Sequence, residues 1–274
     1  MFLSAEVTDF DQFNPTINIL SSEIASYKSN KKKVLDDLKN YLLTDGNSLD
    51  GDEIQRHLFP STDIDIFLSH SHGDADEVIK LAIILEKKGL KVFVDSCVWG
   101  NAFDLLKVID KKYCRNHDDS AYDYDKRNYS TSHVYMMLNT ALHKMIDRCE
   151  MFLFLGTPNS VSVKNGIKNQ ESLKSPWIFS ELAFIQHVRR KSVFNHQLRE
   201  SVTASLENRH IIMDSQLEVH YEKPKLDYRI NSQTLEAILR NTYSSNSEIF
   251  KTLYDRLTKN SPTQVTNSRR FTLG

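Results

Sequence analysis

A strand–helix–strand pattern at residues 63–96 constrains the fold of this chain more than any other feature. Residues 65–69 form a short apolar run with polar edges, which is typical of a strand buried in a parallel sheet. Acidic side chains and then apolar ones at helical spacing follow Gly73, and Gly89 ends this predicted helix. Residues 91–95 are predicted to be the next strand. Because parallel neighbours need a crossover, the segment predicts a right-handed β-α-β unit.

Two loops of this unit are predicted to lie at the functional edge of the sheet. Ligands of parallel α/β sheets bind beyond the carboxyl ends of the strands, which here are the turn at residues 69–73 and the loop at residues 96–101. His70 and His72 in the turn have a spacing that also permits metal binding. No second ligand pair with metal-site spacing accompanies them, so hydrogen bonding within the turn or contact with a substrate is favoured.

Composition favours a reduced, intracellular protein. The chain has 274 residues, enough for a full core, and we expect one main α/β domain with helical additions. Its 35 basic and 36 acidic residues give a net charge of −1, so no global field draws it to nucleic acid or membranes. Cys97, Cys114 and Cys149 are an odd, dispersed set that suits free thiols. No signal peptide or membrane-spanning run is visible, and we expect a cytoplasmic location.

Three regions are predicted along the chain. Residues 1–60 are expected to form a mostly helical extension, in which apolar residues from Ile17 to Tyr41 follow a 3-4 spacing. That seam either packs on the protein's own α/β domain or mediates self-association or binding of a partner helix. Residues 61–259 are predicted to be the α/β domain, and residues 260–274 a polar, frayed tail.

The α/β domain is predicted to contain three further strands and a long insertion. The strands are expected at residues 151–155, 210–214 and 226–230, with closing helices at 232–239 and 248–257. Residues 112–132 are rich in tyrosine and charge, and they look like a surface insertion that is either a solvated loop or a cover for the functional edge. A helix capped by residues 130–132 is expected to follow, and residues 156–174 are expected to be a polar linker.

Several familiar catalytic motifs are absent from the sequence. It has no G-x-x-x-x-G-K-[ST] phosphate loop, no G-x-G-x-x-G dinucleotide motif, no H-E-x-x-H zinc motif and no G-x-S-x-G serine elbow. Trp177 and Glu181 stand out instead, because they lie four residues apart on one predicted helix that starts after Ser175 with Pro176. The pair is either a core tryptophan with a solvated carboxylate or part of a site, and spacing alone leaves both open.

Three short motifs together resemble the Toll/interleukin-1 receptor (TIR) domain. Residues 65–69 (DIFLS) resemble its first-strand box, residues 96–101 lie where the family has its BB loop, and residues 175–182 (SPWIFSEL) resemble its S-x-W-C-x-x-E-L box. The resemblance covers roughly residues 62–230 and is closest to bacterial members. The insertion at residues 112–132 and Ile178, which replaces the usual cysteine, depart from the family pattern.

The resemblance implies a fold and a reaction. It implies a flavodoxin-like α/β fold with a parallel five-stranded sheet, strand order 2-1-3-4-5, flanked by helices. Enzymatic TIR domains cleave the nicotinamide–ribose bond of NAD⁺ with a glutamate at the position of Glu181. A carboxylate there can stabilise the oxocarbenium-like ribose that forms as nicotinamide leaves. Trp177 or Trp99 could stack on the pyridinium ring.

The same resemblance implies the remaining site residues and partners. Ser69, His70 and Asp95, at strand ends, are expected to contact ribose or phosphates, with NAD⁺ as substrate and no metal or resident cofactor. The expected function is NAD⁺ glycohydrolase or ADP-ribosyl cyclase activity in bacterial antiphage defence, with self-association through TIR–TIR contacts and an effector protein that reads a signalling nucleotide. The alternatives are a non-enzymatic TIR scaffold and a sensor that binds a nucleotide without cleaving it. Hydrolysis, cyclisation and base exchange remain open.

Overall fold

A five-stranded, all-parallel sheet forms the centre of the protein in the computed structural model. The strands follow the order β3-β2-β4-β1-β8, and a separate antiparallel sheet has the order β5-β6-β7. The strands are β1 (Leu3–Thr8), β2 (Ile66–Ser69), β3 (Val92–Val94), β4 (Met151–Leu155), β5 (Val161–Val163), β6 (Glu171–Leu173), β7 (Tyr221–Glu222) and β8 (Tyr228–Asn231). The structure describes residues 3–29, 51–59, 63–116, 118, 120–163, 171–187 and 219–259.

Helices cover both faces of the central sheet, which confirms the predicted flavodoxin-like α/β arrangement. One face carries a stack of phenylalanines (Phe67, Phe93 and Phe152) that packs against α2, α4, α5 and α6. The other face packs against α3, α7 and α8. The helices are α1 (residues 21–29), α2 (Gly51–Leu58), α3 (Ala75–Lys87), α4 (Ser96–Tyr113), α5 (Tyr124–Arg148), α6 (Pro176–His187), α7 (Ser232–Arg240) and α8 (Asn246–Lys259).

The predicted strands at residues 65–69, 91–95 and 151–155 are confirmed as β2, β3 and β4, and the weaker strand at 226–230 corresponds to β8. The predicted strand at residues 210–214 lies outside the described residues, and the predicted strand order is wrong at its fourth position, because β1 lies between β4 and β8. The two closing helices are confirmed as α7 and α8. Runs buried on both faces are the strongest strand signal in a parallel sheet, which explains why β2 and β4 were identifiable.

The helical prediction for residues 1–60 is wrong at Leu3–Thr8, which is the strand between β4 and β8. Leu3, Ala5 and Val7 have no exposed surface, while Ser4 and Glu6 alternate with them and face the opposite side of the sheet. These polar residues are buried because partners meet them: the Ser4 hydroxyl donates to Asp227 at 2.8 Å. Period-two alternation therefore marks β1.

The apolar seam packs on the protein's own domain where the structure describes it. Ile17 and Tyr27 lie against the core between the sheet and α3, and Lys87 of α3 pairs with Glu23 of α1 at 2.7 Å. Leu20 is 56% exposed, so the seam is not continuous. The rest of the seam, beyond residue 29, lies outside the described residues.

The segment predicted as a long loop at residues 112–132 is largely helical. The helix α4 continues to Tyr113, and α5 begins at Tyr124, so the connection is confined to residues 114–123. Asp123 caps α5 by accepting a hydrogen bond from the backbone of Lys126 at 3.0 Å, and the cap predicted at residues 130–132 is wrong. Ser132 instead donates to the carbonyl of Asn128 inside the helix, which lets a serine occupy a helical position. The predicted linker at 156–174 likewise contains strands β5 and β6.

No described helix has both the length and the apolar composition that a membrane crossing requires.

Leu3→Ala tests the central position of β1. It removes side-chain packing from a residue with no exposed surface, and we expect it to lower the free energy of unfolding by about 2–5 kcal/mol. Leu20→Ala is the matched control, because its side chain is 56% exposed, and a change within about 0.5 kcal/mol is expected. Denaturant unfolding measures both. If both variants lowered the free energy of unfolding by the same small amount, β1 would be a peripheral segment.

Candidate active site

The carboxyl ends of β2 and β3 bring together three of the predicted site residues. Ser69 ends β2, His70 follows it, and Asp95 follows β3, whose last residue is Val94. Helix α6 adds Glu181 from the sheet face that carries Phe67 and Phe152. All four side chains are buried. The sequence placed Ser69, His70 and Asp95 at strand ends of one edge, as the structure has them, but it did not predict that Glu181 joins them.

Glu181 and Ser69 make a direct hydrogen bond. The hydroxyl of Ser69 donates to Oε2 of Glu181 at 2.5 Å, and Glu181 has no exposed surface. Burial of a carboxylate is unfavourable unless polar groups compensate it, so the Ser69 donor is part of what keeps this carboxylate inside the protein. The contact joins two of the three sequence motifs across 112 residues. Glu181 is therefore an interior group at the sheet edge, not a solvated rim carboxylate.

His70 and Asp95 form a second buried pair beside it. Nδ1 of His70 lies 2.6 Å from Oδ1 of Asp95, and the two side chains are 0% and 2% exposed. The oxygen lies off the direction required for an aligned ring N–H hydrogen bond. The two groups are therefore a close contact and not an aligned hydrogen bond.

Helix α6 is held in place by its own cap and by α5. Ser175 caps the helix through its hydroxyl, which accepts from the backbone of Ile178 at 3.3 Å, and Pro176 is the first helical residue, as predicted. The Trp177 ring stacks on Tyr135 of α5 with centroids 4.9 Å apart. Contacts to α5 thus fix the orientation in which α6 presents Glu181 to the sheet.

A histidine of α5 strengthens this attachment. The hydroxyl of Ser180 donates to Oδ1 of Asn139 at 2.7 Å and lies 3.0 Å from Nε2 of His143. Because the hydroxyl has one proton, Ser180 accepts from the N–H at Nε2 of His143. The imidazole also stacks on Phe184 at 4.2 Å. Burial is the main influence on the pKa of His143 and lowers it.

The structure describes the side chain of only one of the two aromatic residues that were predicted to contact the substrate. Trp177 lies against Tyr135, and its stacking on a pyridinium ring stays a prediction. The loop expected at residues 96–101 is wrong, because α4 begins at Ser96 directly after Asp95. Trp99 is in the first turns of that helix, and its side chain lies outside the described residues.

Two residues near this edge were missed by sequence reasoning. Asp74 accepts from the Thr157 hydroxyl at 2.6 Å and from the Asn159 amide at 2.7 Å, which ties the turn after β2 to the loop after β4. Glu6 of β1 is in register with Phe154, as is Ser69 of β2, so Glu6 and Ser69 flank Phe154 in one row on the same sheet face. Strand spacing places their backbones about 10 Å apart.

Glu6 belongs to a neutralised network. Its two carboxylate oxygens contact Lys223 at 2.6 Å and Arg229 at 2.8 Å, and Lys223 also contacts Glu171 of β6 at 2.5 Å. The side chain of Lys223 is only 6% exposed. This network joins the antiparallel sheet to the central one. The alternation of Leu3 to Val7 was the sequence signal that would have revealed Glu6.

Two clefts of the described part of the chain lie away from this edge, and its residues form no metal-ligand cluster. Clefts of about 250 and 320 Å³ lie between α7 and α8 and between α1 and α3, and neither is lined by Ser69 or Glu181. Within the described ranges, no three His, Cys, Asp or Glu side chains gather as metal ligands would. Glu181 itself has no exposed surface.

Comparison of the chain with protein-family models, curated proteins and solved structures gives no match.

His143 is expected to make stability depend on pH. Because its folded-state pKa is lowered, the folded protein favours neutral imidazole, while the unfolded chain binds a proton near pH 6.5. Its contribution is therefore present above about pH 6.5 and is lost as the pH falls toward the folded-state pKa. Denaturant unfolding between pH 7 and 5 should show a smaller loss of stability in His143→Gln than in the unaltered protein. The exposed His72→Gln control should keep the full loss.

Proposed function

We propose that the chain is a TIR-domain enzyme that cleaves the nicotinamide–ribose bond of NAD⁺, as a glycohydrolase or ADP-ribosyl cyclase. The observation that carries the proposal is the hydrogen bond between Ser69 and Glu181 at the carboxyl edge of the parallel sheet. It unites two of the three motifs on which the resemblance rests, at the edge where α/β folds bind ligands. Two motifs that each served only local packing would not need to contact each other.

The chemistry needs a carboxylate at a protected position. When the C1′–N bond of NAD⁺ breaks, its electron pair leaves with nicotinamide, and positive charge spreads over the ribose ring. Glu181 would stabilise that charge most strongly in a site from which water is excluded. The Ser69 hydroxyl, bonded to Oε2, would hold the carboxylate in one orientation while the charge develops. Neither residue needs a metal ion for this role.

The burial of Glu181 indicates how activity would be controlled. A carboxylate with no exposed surface is inaccessible to a dinucleotide, so the described state is a closed one. We infer that self-association through TIR–TIR contacts moves the elements over the edge and opens the site. Head-to-tail contacts of one copy with the next would extend into rings or filaments. In this proposal the protein acts in the cytoplasm of a bacterium, as part of antiphage defence, and its product nucleotide reaches an effector protein.

Glu181→Gln is the direct test of the reaction. The substitution keeps the size of the side chain and removes its charge, so nicotinamide release from NAD⁺ should fall by about 10²-fold or more. Chromatography of the products from concentrated protein measures the release. Glu236→Gln is the matched control, because Glu236 is also buried but lies on α7, where it accepts from the backbone of Asn14 at 2.7 Å. The control should keep its activity.

Either of two results would contradict this assignment. Nicotinamide release that survives in Glu181→Gln would remove Glu181 from the reaction. Absence of release from the unaltered protein, even in its assembled form, would favour the alternative of a non-enzymatic TIR scaffold. The full burial of Glu181 in the closed state is the observation that keeps that alternative in view.

The assembly requirement has its own test. If contacts between copies open the site, nicotinamide release per protein molecule should rise with protein concentration, by about tenfold or more across the range in which assemblies form. Size-exclusion chromatography run beside the activity assay identifies the active species. A monomer that elutes as such and already has the full specific activity would exclude assembly as the opening step.

A further inference from the structure

His70 holds a buried nitrogen that the arrangement described so far does not use. Its side chain has no exposed surface, and Nδ1 lies 2.6 Å from an oxygen of Asp95 without an aligned hydrogen bond. Nε2 has no hydrogen-bond partner among the residues that the structure describes. Buried polar atoms in proteins are nearly always hydrogen-bonded, and an exception at a ligand-binding edge points to a missing partner. That partner would be a group of the substrate or of a second reactant.

We propose that His70 and Asp95 form an acid–base pair that takes the proton from an O–H acceptor, water or an alcohol, as it attacks the ribose. The inference rests on the proposed cleavage of NAD⁺ and assigns the second half of that reaction. His70 is then a catalytic residue that contacts the acceptor, and Asp95 is the residue that positions it.

The pair has the parts that this role requires. A carboxylate beside Nδ1 fixes the proton at Nδ1 and leaves the lone pair at Nε2 to act as the base. The same carboxylate stabilises the imidazolium that forms when Nε2 takes a proton. Because the pair is buried, water does not screen the attraction between the imidazolium and the carboxylate. The 2.6 Å separation between Nδ1 and the Asp95 oxygen provides these conditions.

The position of the pair relative to Glu181 also fits. Ser69 and His70 are consecutive, so one residue contacts Glu181 and the next contacts Asp95. The inference requires that a ribose held at Glu181 reaches this imidazole, which would serve the incoming acceptor. Asp74, another described titratable group of this edge, already accepts hydrogen bonds from Thr157 and Asn159.

The reaction balances with these groups alone. The C1′–N bond breaks and its electron pair leaves with nicotinamide. The acceptor oxygen forms the new C1′–O bond, its proton moves to Nε2 of His70, and the imidazolium later releases that proton to solvent. A pyridine base that attacks through its ring nitrogen has no proton to lose, so base exchange needs Glu181 but does not need His70. Comparing transfer to an O–H acceptor with transfer to a pyridine base therefore separates the role of His70 from that of Glu181.

The experiment offers both acceptors to the same protein. NAD⁺ is incubated with concentrated protein, methanol and 3-acetylpyridine, and chromatography measures methyl ADP-ribose and the acetylpyridine dinucleotide. His70→Gln should lower transfer to methanol by about 10²-fold relative to transfer to acetylpyridine. Asp95→Asn should shift the ratio in the same direction. Continued base exchange shows in the same reaction that each variant is folded and retains its Glu181 function.

His72→Gln is the matched control, since it makes the same substitution two residues away at an exposed position and should leave the ratio unchanged. Three results would overturn the inference: an unchanged ratio in His70→Gln and Asp95→Asn, an equal shift in His72→Gln, or equal loss of both products, which is what a structural role produces. In all three the unaltered protein still releases nicotinamide. Failure of the proposed function is different, because the unaltered protein then forms neither product.

Discussion

The pairing of β1 with β4 and β8 is the constraint on which the rest of the structure depends. Without β1 the sheet would end at β4, and β8 with helices α7 and α8 would have no edge to join. The same strand places Glu6 where Lys223 and Arg229 meet it, which connects the smaller antiparallel sheet. A segment that reads as an extension is therefore the part that holds the two halves of the sheet together.

The site depends on a different kind of interaction, in which buried polar groups are each matched to a neighbour from another element. Glu181 comes from a helix, Ser69 from a strand end, and Asp95 from the strand beside it. None of these positions is stable alone, because each group would lose its hydration in the interior without the others. The attachment of α6 to α5 through Trp177 supports the arrangement from outside.

Sequence reasoning succeeded where a local pattern carried the signal. The strands β2 and β4 are continuous apolar runs, and the cap at Ser175 and Pro176 is a property of neighbouring residues. It failed at β1, where buried Ser4 and Glu6 look like surface residues until partners more than 200 positions away are known. It also failed at the start of α4, since a strand that turns directly into a helix leaves no turn signal. The placement of Ser69, His70 and Asp95 at one edge followed from strand topology, whereas the contacts of Glu181 with Ser69 and of His70 with Asp95 needed coordinates.

The position of β1 between later strands also orders events during synthesis. During synthesis β1 is made before both of its neighbours, and it can pair with them only when residues 151–155 and then 228–231 have been made. Contacts between residues so distant in sequence form late and slow the folding of a domain. A nascent chain consequently carries β1 without its sheet neighbours until β4 and then β8 have been made, and only then can the central sheet be completed.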